Sequence, residues 1–295
     1  MAKLLLFESG STKTTLLVQE CLGEKNNDIG NEVQEFHLSG YNPNRKSKAF
    51  LQELKTITIQ KEDKVFFYGS GLGTEIKKAE LISAFQEIFE AEITVFDDIL
   101  GSARALYDKE SGVFAILGTG GVAGYYNGES VTDRNGGYGY LIDDLGGGYE
   151  LGKRVVSAWL NGELPQALQT EIETLFQSNR ETFTSIYYSD PKLGYSPEGL
   201  QKIANSVKLV AAYRDHKIVQ ELISNYFTEF FKRHVMPLYK QDTKRELKLS
   251  GTLAQVYLES IQKVATQFGL SVKDTLRYPA IKLLEYHQSD RCVNK

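Results

Sequence analysis

The chain has 295 residues, a length that suits two domains of roughly 100 to 200 residues each. Its 41% hydrophobic and 24% charged content, with only 6 prolines, describes a chain with real cores and excludes a disordered or low-complexity one. The net charge of -4 comes from 34 basic and 38 acidic residues spread along the chain, which excludes a field that would gather nucleic acid or anionic lipid.

The N-terminal apolar run Leu4 to Phe7 stops at Glu8, well short of the roughly 7 to 15 apolar residues of a secretory segment. No stretch approaches the roughly 20 apolar residues that span a bilayer. The expected location is cytoplasmic, with neither membrane nor nucleic acid as partner. The two cysteines, Cys21 and Cys292, lie near opposite ends, and His37, His216, His234 and His287 are mutually distant. Neither set has the spacing of a disulfide framework or a zinc site, and no zinc is expected.

Residues 3–7 (KLLLF) and 14–18 (TTLLV) are apolar runs around a Gly/Ser/Thr turn and predict a β-hairpin with an unusually polar loop. Short buried strands are predicted at 65–68 (VFFY) and 93–96 (ITVF), separated by a helix in which Leu81, Phe85, Ile88 and Phe89 recur at helical spacing. Asp97 and Asp98 follow and lead into a small-residue helix, ILGSARALY. A further buried strand, VFAIL at 113–117, runs into the glycine loop GTGGVAG at 118–124. From about residue 148 to 271 the pattern is mostly helical. Within it Ile218, Leu222, Tyr226, Phe230 and Val235 form one stripe, read as a core face and not a ligand box. An apolar helix over roughly 278–287 is expected to return to the first lobe. The expected division is a lobe of 1–107 joined by the terminal helix 278–295, and a second lobe of 108–277.

Glu8-Ser9-Gly10-Ser11-Thr12-Lys13-Thr14 puts glycine, hydroxyls and an amine into one tight turn, where backbone N–H groups and short donors can converge on phosphate oxygens. It is not the GxxxxGK[ST] loop of a Walker A motif, which disfavours a P-loop fold. A plain polar hairpin would look similar. Leu117-Gly118-Thr119-Gly120-Gly121 repeats the arrangement after a second strand, and two such loops mean more than one. A strand-end carboxylate such as Asp98 suits a general base that orients a hydroxyl and takes its proton, and it would also suit the cap of a helix starting near Ile99.

In sequence order these segments resemble the motifs of the N-acetylglucosamine kinase and BadF/BadG/BcrA/BcrD ATPase family, within the actin/hexokinase superfold. E-S-G-S-T-K-T at 8–14 is similar to the family's D-x-G-x-T-K-T, F-D-D-I-L-G-S-A to its strand-end D-x-x-x-[AS], and L-G-T-G-G to its G-T-G-S loop. G-G-Y-G-Y-L-I-D-D-L-G-G-G-Y at 136–149 resembles G-G-[WY]-G-x-x-x-G-D-E-G-S, and L-S-G-T-L-A at 249–254 resembles the adenosine-side G-S-V-A. P-A-I-K-L-L-E-Y-H at 279–287 looks like the family's terminal helix.

The resemblance implies an α/β, two-lobed actin/hexokinase (ribonuclease H-like) duplicated fold. It implies ATP and Mg2+ as cofactors and a small-molecule sugar as substrate, with the phosphates held by Gly10, Ser11, Thr12, Lys13, Thr14, Gly118, Thr119 and Gly120. Asp98 would be the catalytic base; Asn42, Asp98 and Asp144 would bind the sugar, Gly251 and Thr252 the adenosine side, and Glu8 the Mg2+ through water. The implied activity is an ATP-dependent sugar kinase acting on the 6-hydroxyl of an N-acetylated amino sugar such as N-acetylglucosamine. A homodimer is left open. Four positions depart from the family pattern: Glu8 for aspartate, Gly121 for serine, Asp143 for glycine and Leu145 for glutamate. They permit a second reading, a nucleotide- and sugar-binding protein that no longer turns over. The family's ATPases that activate 2-hydroxyacyl-CoA dehydratases need cysteines in the middle of the chain, where this sequence has none between Cys21 and Cys292.

Overall fold

The computed structural model describes residues 2–10, 13–20, 32–43, 48–190, 192, 194, 196–240 and 244–289. They form two compact units. One comprises Met1–Lys109, Gly128–Ser130 and the chain from Tyr278 onward; the other comprises Glu110–Asn127 and Val131–Arg277.

In the first unit β1 (Lys3–Ser9), β2 (Lys13–Glu20), β3 (Val33–Ser39), β4 (Lys64–Gly69) and β5 (Glu92–Asp97) make one sheet in the order β3-β2-β1-β4-β5. The first three strands are antiparallel neighbours, while β4 pairs parallel with β1 and β5 parallel with β4. Around the sheet lie α1 (Lys48–Leu54), α2 (Glu75–Gln86), α3 (Asp98–Tyr107) and a C-terminal helix, Ala280–Ser289. The pleat accounts for the unbroken KLLLF run. Leu5 and Phe7 enter a core with Phe50, Phe67, Leu81 and Phe85, while Leu4 and Leu6 face Tyr68, Leu283 and Leu284 on the other side of the sheet. A strand covered on both faces has no polar alternation to show. α2 ends at Gln86, so Ile88 and Phe89 of the predicted stripe lie just past it, packed against the same core.

In the second unit β6 (Gly112–Leu117), β7 (Gly121–Tyr126), β8 (Val131–Gly136), β9 (Glu246–Ser250) and β10 (Ser271–Leu276) lie in the order β10-β9-β6-β7-β8. Read from β8, this is the same arrangement as the first sheet, three antiparallel strands followed by two parallel ones. The α/β fold is therefore duplicated. The helices α4 (Gly148–Leu160), α5 (Gln166–Phe176), α6 (Phe183–Tyr187), α7 (Pro197–Ala212) and α8 (Lys217–Phe230) come between β8 and β9. α8 runs on into a π-helical turn, Phe231–Val235, and a 3-10 turn, Met236–Lys240. α9 (Thr252–Val256) and α10 (Leu258–Gln267) join β9 to β10. No described helix is long and apolar enough to cross a membrane.

The stripe expected over 217–238 is shifted at its start. α8 buries Val219, Ile223, Tyr226, Phe227 and Phe230, whereas Ile218 is 42% exposed. Of the expected stripe, Tyr226, Phe230 and Val235 are buried in the core and Leu222 packs against it, so only its first member departs: steps of four swing about 40° each around a helix of 3.6 residues per turn.

Candidate functional site

The first unit concentrates its polar groups at the ends of β1, β4 and β5. Parallel pairing sets Glu8 beside Tyr68, Ser9 beside Gly69, and Gly69 beside Asp97. The β1–β2 turn is closed by the Gly10 N–H donating to the Lys13 carbonyl at 2.9 Å. Below it Thr14 is buried, and its hydroxyl donates to the Ser39 carbonyl at 2.9 Å. That fixes Ser9 Oγ as donor in the 2.7 Å bond to Thr14 Oγ1, and Ser9 Oγ in turn accepts the Tyr41 N–H at 3.0 Å. These inward hydroxyls brace the hairpin and tie residues 40–43 to it. Lys13 is exposed, its Nζ 3.4 Å from His37 Nε2. Ser11 and Thr12 lie outside the described residues.

Asp97 and Asp98 divide two tasks. Asp97 is the N-cap of α3, its Oδ1 accepting the Leu100 N–H at 2.6 Å, so the capping role considered for Asp98 falls to its neighbour. Asp98 occupies the first turn, with the Ser70 hydroxyl hydrogen-bonded to its carboxylate. Asn42 borders the same turn after β4: a Cβ on Gly71 would stand 3.8 Å from Asn42 Oδ1 and 3.4 Å from Pro43. Ser70 and Gly71 thus bring Asn42 and Asp98 to one place.

The electrostatics are unusual for two carboxylates. Burial, then the neighbouring Asp98 charge, push the Glu8 carboxyl up to about 7, against the pull of Lys13. Burial and the adjacent Asp97 raise Asp98 to about 6, although hydrogen bonds from Ser70 and the local backbone favour its ionised form. Both groups stay within reach of a proton near neutrality.

In the second unit the β6–β7 turn is Gly118-Thr119-Gly120, with the Gly118 N–H donating to the Gly120 carbonyl at 3.0 Å. The first amides of α4 hold this turn: Gly148 N–H donates to the Gly118 carbonyl at 2.8 Å and Tyr149 N–H to the Thr119 carbonyl at 3.1 Å. Thr119 itself is exposed. Asp144 lies against the turn, accepting the amides of Gly139 and Gly121, and burial raises its pKa above the usual carboxylate range. A Cβ on Gly120 would come within 2.9 Å of Asp144 Oδ1. At Gly121 a Cβ would stand 2.3 Å from the Leu145 carbonyl and 2.5 Å from Gly147 N, so no serine fits this backbone. Leu145 is itself a core residue.

Gly251, at φ +106°, carries the β9–α9 turn onto the end of β6, where a Cβ would stand 2.4 Å from the Leu117 carbonyl. Its N–H donates to the Leu276 carbonyl at 2.9 Å, and Thr252 beside it is exposed. The β9–α9 turn and the Gly118 turn are neighbours in this unit. Tyr226 was expected only as core, yet its hydroxyl accepts the Gly146 N–H at 2.8 Å and donates to the Gly147 carbonyl at 2.6 Å. A tyrosine where phenylalanine would fill the same stripe was the available signal.

No family model matches the chain. It is 23% identical over 201 residues to an N-acetylmuramic acid/N-acetylglucosamine kinase of Clostridium acetobutylicum, covering 66% of this chain and 63% of the relative. It is 26% identical over 204 residues to the N-acetyl-D-glucosamine kinase of Dictyostelium discoideum, covering 63% of this chain and 64% of the relative. The matches therefore span less than two thirds of either curated relative. A solved structure from Porphyromonas gingivalis, provisionally named an N-acetylglucosamine kinase, superposes with a TM-score of 0.79 at 26% identity, covering 99% of this chain and 100% of that one. A glucokinase of the ROK family from Streptomyces griseus, solved with glucose and AMPPNP, shares the fold at a TM-score of 0.57 and 10% identity, covering 95% and 98% of the two chains. The chain has the two-lobed α/β fold of the actin-like sugar kinases, and N-acetylglucosamine kinases are the proteins it is similar to in both sequence and structure.

Proposed function

We propose that the protein is an ATP-dependent kinase that phosphorylates the 6-hydroxyl of an N-acetylated amino sugar such as N-acetylglucosamine. The observation that carries this reading is Asp98, a strand-end carboxylate freed from helix capping by Asp97 and held near its protonation point by burial. In the proposed step the sugar oxygen attacks the γ-phosphorus of ATP and Asp98 takes the hydroxyl proton. The bond from the γ-phosphorus to the bridging oxygen breaks, and ADP leaves. Asn42 and Asp144 supply sugar contacts. Gly10, Lys13, Gly118, Thr119 and Gly120 supply phosphate contacts, with Ser11 and Thr12 assigned to the same role from sequence. Thr14 supports the first loop from beneath, and Gly251 and Thr252 border the adenosine.

Among the described residues no group of three or more His, Cys, Asp or Glu could hold a metal ion unaided. Mg2+ is commonly held by one or two carboxylates plus waters and phosphate oxygens. Glu8 fits that role through water, because its carboxylate is crowded by Asp98 and only partly relieved by Lys13. The bound ion would neutralise phosphate charge.

A coupled assay of ADP release with N-acetylglucosamine, N-acetylmannosamine and glucose tests the reading, with the phosphorylated position fixed by NMR of the product. ADP release with none of the sugars removes it. One observation favours the non-catalytic alternative: Leu145 sits in the core where the resemblance places a sugar-side glutamate. Binding of ADP-Mg and sugar without ADP release would select that alternative.

A further inference from the structure

The glycine segment 136–147, which carries Asp144, rests on one ridge of α8 and its π-turn. Tyr226 grips Gly146 and Gly147 through its hydroxyl. Phe230, four residues on, lies under Gly146, where a Cβ would come within 2.6 Å of its ring. His234, four further, stands in the π-turn with Nε2 3.1 Å from Asp143 Oδ2, and is 3% exposed.

A plain α-helix would not keep these three in line. Four residues overshoot a full turn by about 40°, and eight by about 80°. The wider i→i+5 turn at 231–235 winds back against that drift and returns His234 to the ridge. Single π-turns of this kind are frequent at functional sites.

We propose that His234 is a positioning residue for Asp144, and that the π-turn exists to align it with Tyr226 as a two-point clamp on segment 136–147. The inference rests on assigning Asp144 to the sugar pocket. Asp143 transmits the grip. Its N–H donates to the Gly139 carbonyl at 3.0 Å, its carbonyl accepts the Tyr138 N–H at 2.9 Å, and Asp144 accepts the Gly139 amide. The imidazole slot is built to fit: Asn135 Nδ2 donates to the His234 carbonyl at 2.9 Å. Gly136, at φ +80°, leaves room where a Cβ would stand 2.8 Å from the ring. The turn's tip, Leu141 and Ile142, is 76% and 79% exposed, so core packing does not fix it.

His234→Leu and His234→Gln in the full chain test the clamp, since the glutamine amide can donate to Asp143 from about the place of Nε2. Hydrogen exchange is followed in 137–145 and, as reference, in α8; calorimetry measures N-acetylglucosamine and ADP-Mg separately. For His234→Leu, exchange in 137–145 should rise and N-acetylglucosamine affinity fall by about tenfold or more, as loss of one buried hydrogen bond to a charged group implies. α8 protection and ADP-Mg affinity should stay near native, and His234→Gln should recover most of both losses. Exchange rising uniformly through the second unit, a leucine variant indistinguishable from native, or a glutamine variant no better than leucine would each overturn the clamp. If the native protein does not bind N-acetylglucosamine, the exchange comparison still decides the clamp and only the sugar assignment falls.

Discussion

Asp98 must be ionised to accept a proton, and its neighbourhood holds it at about 6. Turnover should therefore show an acid limb centred near pH 6, read from kcat/KM at saturating Mg2+. Asp98→Asn should lower turnover by roughly 10² to 10⁴. It should melt no lower than the native protein at neutral pH, because Asp97 carries the α3 cap and the amide removes a charge that burial disfavours. A well-folded variant with unchanged turnover would exclude Asp98 as base. Glu8 gives a stability test of opposite emphasis. Its folded pKa is raised from 4.5 to about 7, so the native state holds the proton more tightly than the unfolded chain. That contribution is present below pH 4.5 and is lost as pH rises through 7. Glu8→Gln should thus melt above the native protein at pH 8, by on the order of 1 to 2 kcal/mol after discounting for solvent screening, with the gap closing at pH 4.5. An equal gap at both values would show that Glu8 is not strained by its surroundings. Sequence reasoning singled out Asp98 because strand ends mark ligand sites in α/β sheets, and Glu8 only through the resemblance of its motif. The strain that Asp98 puts on Glu8, and the division of labour between Asp97 and Asp98, depend on backbone direction that spacing does not encode.

At the scale of elements, the β6–β7 turn is held by the first backbone amides of α4 and, at Gly121, by the Asp144 carboxylate. Gly121 faces the Leu145 carbonyl and Gly147 N, so Gly121→Ser cannot restore a phosphate-binding hydroxyl without moving the chain. It should destabilise by about 1 to 3 kcal/mol, seen as a lower melting temperature, and should weaken ADP-Mg binding instead of strengthening it. Tighter ADP-Mg binding in a stable variant would contradict this. The central strands β1, β2, β4 and β6 were legible as apolar runs because they are covered on both faces, and the edge strand β5 was legible through Ile93 and Val95, which face the core. β3 and β8 were not: at sheet edges they read VQEFHLS and VTDRNG, with most side chains exposed, and resemble loops in composition. The π-turn was equally hidden, since the stripe ending at Val235 reads as ordinary helix until the hydrogen bonds are seen.

At the scale of the whole molecule, each unit owns its core, and both sheets follow one plan. The C-terminal helix belongs to the unit that begins the chain, covering Leu4, Leu6, Leu17 and Tyr68. His287 anchors it there, Nε2 lying 2.8 Å from the buried Tyr68 hydroxyl, which also accepts from Arg104 at 2.9 Å. Removing the chain from Ala280 onward should therefore abolish hydrogen-exchange protection in β1 and β4 while α8 and β6 keep theirs. Loss confined to the second unit would refute the assignment.

The placement of that helix also sets an order of events during synthesis. Domains usually fold as they emerge, the N-terminal one first. Here strands made before the second unit lack the cover that the C-terminal helix gives one face until the whole of that unit has been made. The second unit, whose strands and helices are contiguous apart from Gly128–Ser130, can complete its core earlier. The nascent first unit must wait with Leu4, Leu6 and Leu17 open on one side, and that interval is when a chaperone would find the most to bind.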